Sequence, residues 1–280
     1  MIINGIKTKG GFQTMGGKRV GLKRIEALME NLKRNLNLSG SSVTANNGGN
    51  GYGTFGAPPI VIDDDSTVAA GTDEAVMIHQ YPDGLRLHVQ NIGTQAILIP
   101  AATTTGMNYG YDQTNEEGVQ WVASLNTHKG TMDSDRFKIG TSKAFFAKLK
   151  FSIGTVAGTD DCLFGFRKVE AEAAAVDNYN DMAALNVITG DIKIETILDN
   201  AATTTTDTTD NWADGEIHEL KVLVSAAGAV TYKIDGADPS TTAAFTFDDG
   251  EEVTPFFYFT NATGTAAGAV ILEEVEWGLQ

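Results

Sequence analysis

Oxygen-bearing side chains gather between residues 207 and 214, where Asp207, Asp210, Asn211 and Asp214 fall within eight residues. Carboxylate and amide oxygens on a turn are the ligands that Ca²⁺ prefers. An acidic loop that is merely exposed to solvent would have the same composition. The sequence therefore offers a candidate calcium site formed by Asp207, Asp210 and Asp214, and it indicates no other metal or cofactor.

Histidine and cysteine offer little further chemistry. The four histidines are scattered and lack the spacing of metal ligands: His79, His88, His128 and His218. His218 begins a predicted strand with no nucleophile nearby in sequence, which favours a locally bonded structural histidine. The single cysteine, Cys162, excludes an intramolecular disulfide and stands in an apolar run, so we predict a small buried hydrophobe.

Charge is divided unequally along the chain. Residues 1–40 contain eight Lys/Arg and two acidic residues, a net charge of +6. The other 240 residues contain 12 basic and 34 acidic residues, a net charge of −22. Such a body repels phosphate, so nucleic acid is not predicted as a partner. The pattern is typical of a basic anchor that binds an acidic protein surface and carries a self-repelling module.

The basic start has the pattern of an amphipathic helix, predicted over residues 18–37. Apolar residues recur at spacings of three and four and so share one helix face: Leu22, Ile25, Met29, Leu32 and Leu36. The helix could lie on its own domain, dock on another protein, or pair with copies of itself as a short coiled coil. A membrane partner is disfavoured because this face lacks Trp and Phe. The candidate partner-binding residues are Arg19, Leu22, Lys23, Ile25, Leu28, Met29, Leu32 and Leu36.

Composition divides the chain into three parts. Residues 39–59 are rich in Gly, Asn and Ser and predict a linker, because they contain too little apolar surface to offset the entropy of ordering. Residues 60–106 predict short strands between turn residues, either as a small β unit or as the opening strands of the next domain. We therefore predict an arm, helix and linker at 1–59, a short β segment at 60–106 and a β-sandwich at 107–280.

From residue 107 onward, apolar and polar residues alternate as they do in strands with one buried face. The clearest run is 145–153, whose apolar members share one face: Phe145, Leu149, Phe151 and Ile153. The same alternation recurs in four further groups: Ile192, Ile194 and Leu198; Leu220, Val222 and Val224; Val230, Tyr232 and Ile234; and Ile271, Val275 and Trp277. Frequent strands without helical crossovers predict a mainly β fold, with antiparallel sheets packed as a sandwich.

Three segments carry a recognisable pattern: WADGEIHELKVLV at 212–224, GAVTYKIDG at 228–236 and ILEEVEW at 271–277. They resemble the concanavalin A-like lectin/glucanase jelly roll in its laminin G-like form, over residues 107–280. The resemblance implies an antiparallel jelly roll. From the residues themselves, we expect Trp212 to cover a sheet edge and Asp214-Gly215 to form a turn. The front of the chain, with its Gly-rich start and the run RIEALMENLKRNL at 24–36, is similar in style to structural proteins of marine tailed phages.

Catalysis is not predicted. Glycoside hydrolysis needs two carboxylates at a defined separation, and the glucanases of this fold carry them on one strand as E-x-D-x-x-E. That run is absent here. Glu273, Glu274 and Glu276 come nearest, but their order is wrong, and acids on the outer face of a terminal strand are expected to be solvated. No P-loop or Ser-His-Asp pattern is found either.

These features predict a structural protein of a virus particle, made in the host cytoplasm without a secretory signal or membrane span. The leading hypothesis is a capsid decoration (cement) protein whose arm binds the major capsid shell, with self-association as a second use of the helix. The alternatives are a head- or tail-fibre module that binds host glycans and a cellular carbohydrate-binding module. A lectin would expose aromatic residues, for which the candidates are Tyr109, Tyr111, Trp121, Tyr179 and Trp212.

Overall fold

The computed structural model describes residues 51–54, 60–61, 67–68, 76–80, 86–91, 97–98, 101–110, 118–124 and 136–280. All of them belong to one unit, Gly40–Gln280. The predicted helix over 18–37 lies outside the described residues. Within the described ranges, no helix has the length and apolar character that a membrane crossing requires.

Two antiparallel sheets form the body. Sheet A has this strand order: β17 (Val230–Ile234), β16 (Ile217–Val224), β11 (Phe145–Ile153), β19 (Val270–Leu279), β8 (Met107–Asn108) and β7 (Ala101–Ala102), with β1 (Gly51–Thr54) also paired to β19. Sheet B has this order: β15 (Thr204–Asn211), β14 (Asp191–Ile197), β13 (Met182–Ile188), β12 (Thr159–Lys168), β18 (Glu252–Asn261), β9 (Gly118–Ser124), β5 (Arg86–Asn91), β4 (Val76–Gln80) and β2 (Ile60–Val61), with β10 (Phe137–Lys138) on β18.

Short elements complete the described structure. β3 (Thr67–Val68) pairs with β6 (Ile97–Leu98), and 3-10 turns occur at Val156–Gly158 and Val176–Asn178. β2, β4 and β5 extend sheet B through β9, and β7 joins sheet A. The described strands between residues 60 and 102 are therefore largely continuous with the two main sheets, which corresponds to the second of the two alternatives left open for this segment.

The main core lies between the two sheets and is rich in aromatic rings. Phe145 of sheet A stacks on Phe137 of sheet B at a ring-centroid distance of 4.3 Å and meets Phe166 edge-on at 5.0 Å. Trp121 and Phe257, both on sheet B, stack at 5.8 Å. Aromatic pairs of this kind contribute beyond the area they bury. The predicted antiparallel sandwich is thus confirmed as two sheets joined through one aromatic layer.

The alternation predicted for the strands is largely confirmed. β11 alternates strictly between buried and half-buried residues, and Cys162 is fully buried. The face predicted for Ile271 is wrong, since its neighbours Val270 and Leu272 are the buried residues. The pairing of β19 with β11 shifts register opposite Lys150 and Phe151. This bulge of one residue places the β19 side chains that precede it on the face opposite to the one that unbroken alternation predicts.

Two further segments differ from the sequence predictions. Leu198 is 37% exposed because β14 ends one residue before it, so its predicted place in the alternation is wrong. Gly51–Thr54, within the predicted linker, forms β1 and pairs with Glu274–Trp277 of β19. Backbone pairing of this kind needs no apolar side chain, which explains why composition alone did not indicate a strand.

A second core lies on the outer face of sheet B, beneath residues 169–181, which we name the covering segment. The buried residues of this second core are Val122, Leu163, Val176, Tyr179, Met182, Ala184, Ile197, Phe256 and Tyr258. Side chains of the sheet hold the backbone above them: Gln120 Nε2 donates to Ala173 O at 3.2 Å, and Tyr258 OH donates to Ala174 O at 2.8 Å. The central strands β12, β13 and β18 of sheet B are therefore buried on both faces.

The connection from β17 to β18 covers one open side of the sandwich. Thr241 N donates to Thr208 O of the edge strand β15, at 2.9 Å. Val230 N of the other edge strand, β17, donates to Phe245 O at 3.0 Å. Unpaired strand edges invite pairing with other chains. This connection therefore reduces the opportunity for the sandwich to associate through these two edges.

The buried tryptophans provide a test of the sandwich core. Trp277 is fully buried and Trp212 is 2% exposed, so Trp277→Ala or Trp212→Ala should lower the free energy of unfolding by about 3–5 kcal/mol, as truncation of a buried aromatic does. The control is Ile217→Ala, since Ile217 is 50% exposed and should change stability by no more than about 0.5 kcal/mol. Denaturant unfolding measures both, and a tryptophan variant as stable as the control would contradict the packing described.

Candidate functional site

The residues predicted to bind a partner lie outside the described ranges: Arg19, Leu22, Lys23, Ile25, Leu28, Met29, Leu32 and Leu36. Their role stays a prediction. The sites that can be described are those on the sandwich, beginning with the candidate calcium ligands.

The three candidate calcium ligands bond separate backbone groups. Asp207 Oδ1 accepts from Thr209 N at 2.8 Å, and Asp214 Oδ1 accepts from Val156 N at 2.8 Å. Asp210 accepts from both the N–H and the hydroxyl of Ser240, at 2.9 and 2.7 Å, and these bonds lower the pKa of its carboxyl. Among the described residues, no three His, Cys, Asp or Glu side chains are arranged to hold a metal.

The segment that carries these acids is also not the loop that was predicted. Asp207, Asp210 and Asn211 lie on β15, the edge strand of sheet B. The many threonines around them favour a strand because β-branched side chains fit a pleated surface. The structure therefore does not bring the three carboxylates together, and calcium binding stays a prediction.

Residues 212–224 and 228–236 form one local structure around His218. Its Nδ1 lies 2.6 Å from Asp235 Oδ2 and its Nε2 lies 3.2 Å from Glu216 Oε2. The Trp212 ring lies 4.5 Å from both the His218 ring and the Phe151 ring. These contacts fit the structural role predicted for His218, and they place Trp212 in the main core. Sequence reasoning did not identify Asp235 as the partner, because the partner lies across a hairpin.

The aromatic residues considered for a lectin surface are packing residues. Tyr109 and Tyr179 are fully buried, Trp121 is 1% exposed and Trp212 is 2% exposed. The expectation that these four could serve as exposed stacking platforms is therefore wrong. Their rings pack against core neighbours, as Tyr109 does against Phe257 at 6.0 Å. Tyr111 lies outside the described residues.

The outer face of sheet A carries a dense charge network. Lys148 Nζ lies 3.2 or 3.3 Å from three carboxylates: Glu219, Glu274 and Glu276. Although partial burial opposes it, the hydrogen bond to Glu274 and the neighbouring negative charges raise the pKa of Lys148. Lys150 pairs with Glu273 at 2.9 Å. The acids of the terminal strand, expected to be solvated, are therefore paired across the sheet.

The outer face of sheet B carries a smaller network that we name the acid–amide cluster: Asp161, Asn186 and Glu195. Asn186 Nδ2 donates to Asp161 Oδ1 at 2.6 Å and to Glu195 Oε2 at 3.0 Å, while its Oδ1 accepts from Cys162 N at 2.8 Å. Burial raises the pKa of Asp161 to about 7 and also raises the pKa of Glu195. The cluster can therefore both donate and accept hydrogen bonds near neutral pH.

Sequence reasoning missed the acid–amide cluster. Its members come from three neighbouring strands, β12, β13 and β14. The signal in the sequence is Asn186, a polar residue inside the otherwise apolar run MAALNVI. A buried amide in such a run needs hydrogen-bond partners, but the run itself does not say which residues supply them.

Comparison with known proteins gives similarity at low identity. No family model and no curated protein matches the sequence. Among solved structures, the carbohydrate recognition domain of Emp47p has 12% identity and a TM-score of 0.47, covering 78% of this chain and 96% of that chain. Lectin II from Ulex europaeus has 12% identity and a TM-score of 0.43, covering 69% and 92%. The galectin LEC-6 of Caenorhabditis elegans has 14% identity and a TM-score of 0.34, covering 51% and 89%. Identities this low assign no residue a role.

The raised pKa of Asp161 predicts a stability that depends on pH. The folded state keeps the Asp161 proton up to about pH 7, whereas the unfolded chain releases it near 3.8. Stability should therefore fall as the pH rises from 4 to 7, by up to about 4 kcal/mol, because one pKa unit corresponds to about 1.4 kcal/mol.

Denaturant unfolding at several pH values measures this effect. Asp161→Asn keeps the acceptor for Asn186 and should make the fall between pH 4 and 7 shallower, while Glu195 and Glu251, whose pKa values are also raised, keep part of the slope. The control Asp248→Asn removes an exposed carboxylate and should leave the slope unchanged. An Asp161→Asn profile as steep as that of the unmodified protein would refute the assignment.

Proposed function

We propose that this chain is a non-enzymatic structural protein of a virus particle, most specifically a capsid decoration protein that binds the major capsid shell through its N-terminal arm. The observation that carries the proposal is the separation of charge. Residues 1–40 have a net charge of +6, whereas residues 136–280 contain ten basic and 23 acidic residues, a net charge of −13. The positively charged arm is attracted to acidic protein surfaces, whereas the negatively charged body is repelled by them.

The sandwich supports the proposal as a self-contained body. Its aromatic residues stabilise two packed cores, and the connection from β17 to β18 covers two strand edges. Its acidic surface opposes contact between identical copies. A body of this kind suits a module that stands in many copies on a shell without aggregating.

Attachment in this proposal depends on the arm. Each aliphatic side chain that enters an apolar groove contributes about 1.5–3 kcal/mol, whereas an exposed ion pair contributes about 0–1 kcal/mol. The stripe that contains Ile25, Met29 and Leu32 therefore dominates, and the neighbouring Lys and Arg residues assist. Repetition around a symmetric shell converts modest single contacts into strong overall binding.

Glycan binding is the second candidate. The observation that favours it is the acid–amide cluster, which has exposed neighbours in Asp160, Asp177 and Thr205. Carboxylate, amide and hydroxyl groups that converge on one face are suitable partners for sugar hydroxyls.

Co-sedimentation with purified capsids tests the attachment. Deletion of residues 1–40 should leave a folded β domain that no longer sediments with capsids. In the full chain, Ile25→Asp combined with Leu32→Asp should abolish binding because the carboxylates would enter an apolar groove. Binding of the unmodified protein should survive an increase in salt to about 1 M, at which the Debye length is about 3 Å.

Matched variants separate the alternatives. Lys23→Gln with Lys33→Gln changes charge only and should retain binding at low salt. Full occupancy by the truncated protein would place the attachment site on the sandwich and refute the role of the arm. Glycan-array binding by the truncated protein that is lost in Asp177→Ala but kept in Asp248→Ala would favour the second candidate.

A further inference from the structure

Three charged side chains meet where the covering segment leaves and rejoins sheet B. Lys168 is the last residue of β12 and Asp181 directly precedes β13. Lys168 Nζ lies 2.8 Å from Asp181 Oδ2 and 3.2 Å from Glu251 Oε1. One amine is thus in contact with two carboxyl groups that come from different parts of the chain.

The two carboxyl groups are shielded from water. The Asp181 side chain is 2% exposed and that of Glu251 is 5% exposed, whereas Lys168 is 40% exposed. Burial, together with the adjacent Asp181, raises the pKa of Glu251 to about 7. Although burial opposes it, the bond from Lys168 keeps the pKa of Asp181 below its ordinary value. Glu251 is therefore the member of the pair that holds a proton, next to an ionised Asp181.

Backbone groups hold the Lys168 main chain beside Asp181 and fix the Asp181 carboxyl group. Lys168 N donates to Asp181 O at 2.9 Å, and Asp199 N donates to Asp181 Oδ1 at 2.8 Å. The Nζ contact at 2.8 Å to Oδ2, extended by a C–O bond of about 1.2 Å, puts Nζ within about 4 Å of the Asp181 carboxyl carbon. Near-attack geometry requires about 3–3.5 Å, so a small movement of the Lys168 side chain is sufficient.

We propose that Lys168 and Asp181 condense to an intramolecular isopeptide bond, with Glu251 as the catalytic acid and base. A proton passes from the Lys168 ammonium to the Asp181 carboxylate, which gives a neutral amine and a neutral carboxylic acid. Nζ then attacks the Asp181 carboxyl carbon, the new C–N bond forms, and a C–O bond breaks to release water. Glu251 donates its proton to the departing hydroxyl and takes up the proton that the nitrogen releases, so it ends the step protonated as it began. The step is a dehydration without any change of oxidation state, so it needs no cofactor.

The environment distinguishes Lys168 from the other lysine that lies among acids. Lys148 is surrounded by Glu219, Glu274 and Glu276, whose side chains are 28–35% exposed. At Lys168 the two carboxyl groups are 2% and 5% exposed. A carboxyl group that is shielded from water and holds a proton, Glu251, therefore lies beside this amine and can donate to a departing hydroxyl.

The bond would close a covalent ring around residues 169–180, above the second core. The covering segment is irregular backbone that relies on side chains of the sheet for its hydrogen bonds. A covalent closure at its base limits local opening of this layer. Such closure benefits any protein that has to stay folded for long periods without repair, whether or not it belongs to a particle.

Intact mass spectrometry of the full chain, folded first and denatured only for the measurement, tests the proposal. We expect a mass below the sequence mass by one water molecule, and a tryptic peptide that joins the segments containing Lys168 and Asp181. Glu251→Gln and Lys168→Arg should each restore the full sequence mass while the circular dichroism spectrum stays that of a β protein. Lys148→Arg is the matched control and should still lose one water.

The unmodified protein alone decides whether the bond exists, so a variant that fails to fold does not weaken the test. A mass equal to that of the sequence after prolonged incubation of the folded protein, with separate Lys168 and Asp181 peptides, would overturn the proposal and leave an ordinary ion pair. Loss of water in Glu251→Gln at the rate of the unmodified protein would overturn the catalytic role of Glu251.

Discussion

The central strands of sheet B have to be covered on both faces, and this requirement determines much of the described structure around them. In β13 and β18 nearly every residue is buried, because apolar side chains leave both sides of these strands. An antiparallel sheet commonly has one face in water. Here Phe256 and Met182 on the outer face would meet water without the covering segment. A third layer of irregular chain is therefore part of the core.

An irregular layer over an apolar face creates polar groups that need partners. Backbone in the covering segment cannot satisfy itself as a strand does, so side chains of sheet B reach outward to it. Arg167 is an example of a side chain that serves both purposes. Its Nη1 donates to Lys168 O and Glu170 O, and its guanidinium packs 4.6 Å from the centre of the Tyr179 ring. The carboxyl groups in this partly dry layer are the ones with raised pKa values, as Asp161 and Glu251 illustrate.

Structural features that follow from strand periodicity could be predicted from the sequence. Features that follow from pairing between strands could not. One face of β11 packs in the core and the other faces outward, so alternation alone correctly predicted which residues between Phe145 and Ile153 are buried. In β19 a bulge turns the Ile271 side chain to the outer face. The bulge arises from the pairing of β19 with β11 and is not indicated by the sequence of β19 alone. The covering segment was missed for a related reason. Its run VEAEAAAVDN at 169–178 has neither strand alternation nor large aromatic residues, because this part contributes mainly backbone and the rings come from Tyr179 and from the sheet.

The same distinction applies to the site residues. His218 was recognised as structural because one of its two bonds, to Glu216, is local. Its shorter bond to Asp235, the acid–amide cluster and the group around Lys168 join residues that are far apart in sequence.

The outer face of sheet A adds a constraint on how copies can meet. Lys148 lies among three carboxylates there, and Lys150, Lys221 and Lys233 add positive charge to the same face, so a second copy would have to match a pattern of both signs. The covered edges of β15 and β17 are likewise closed to pairing with identical copies, and in the proposal the arm supplies the binding energy of attachment.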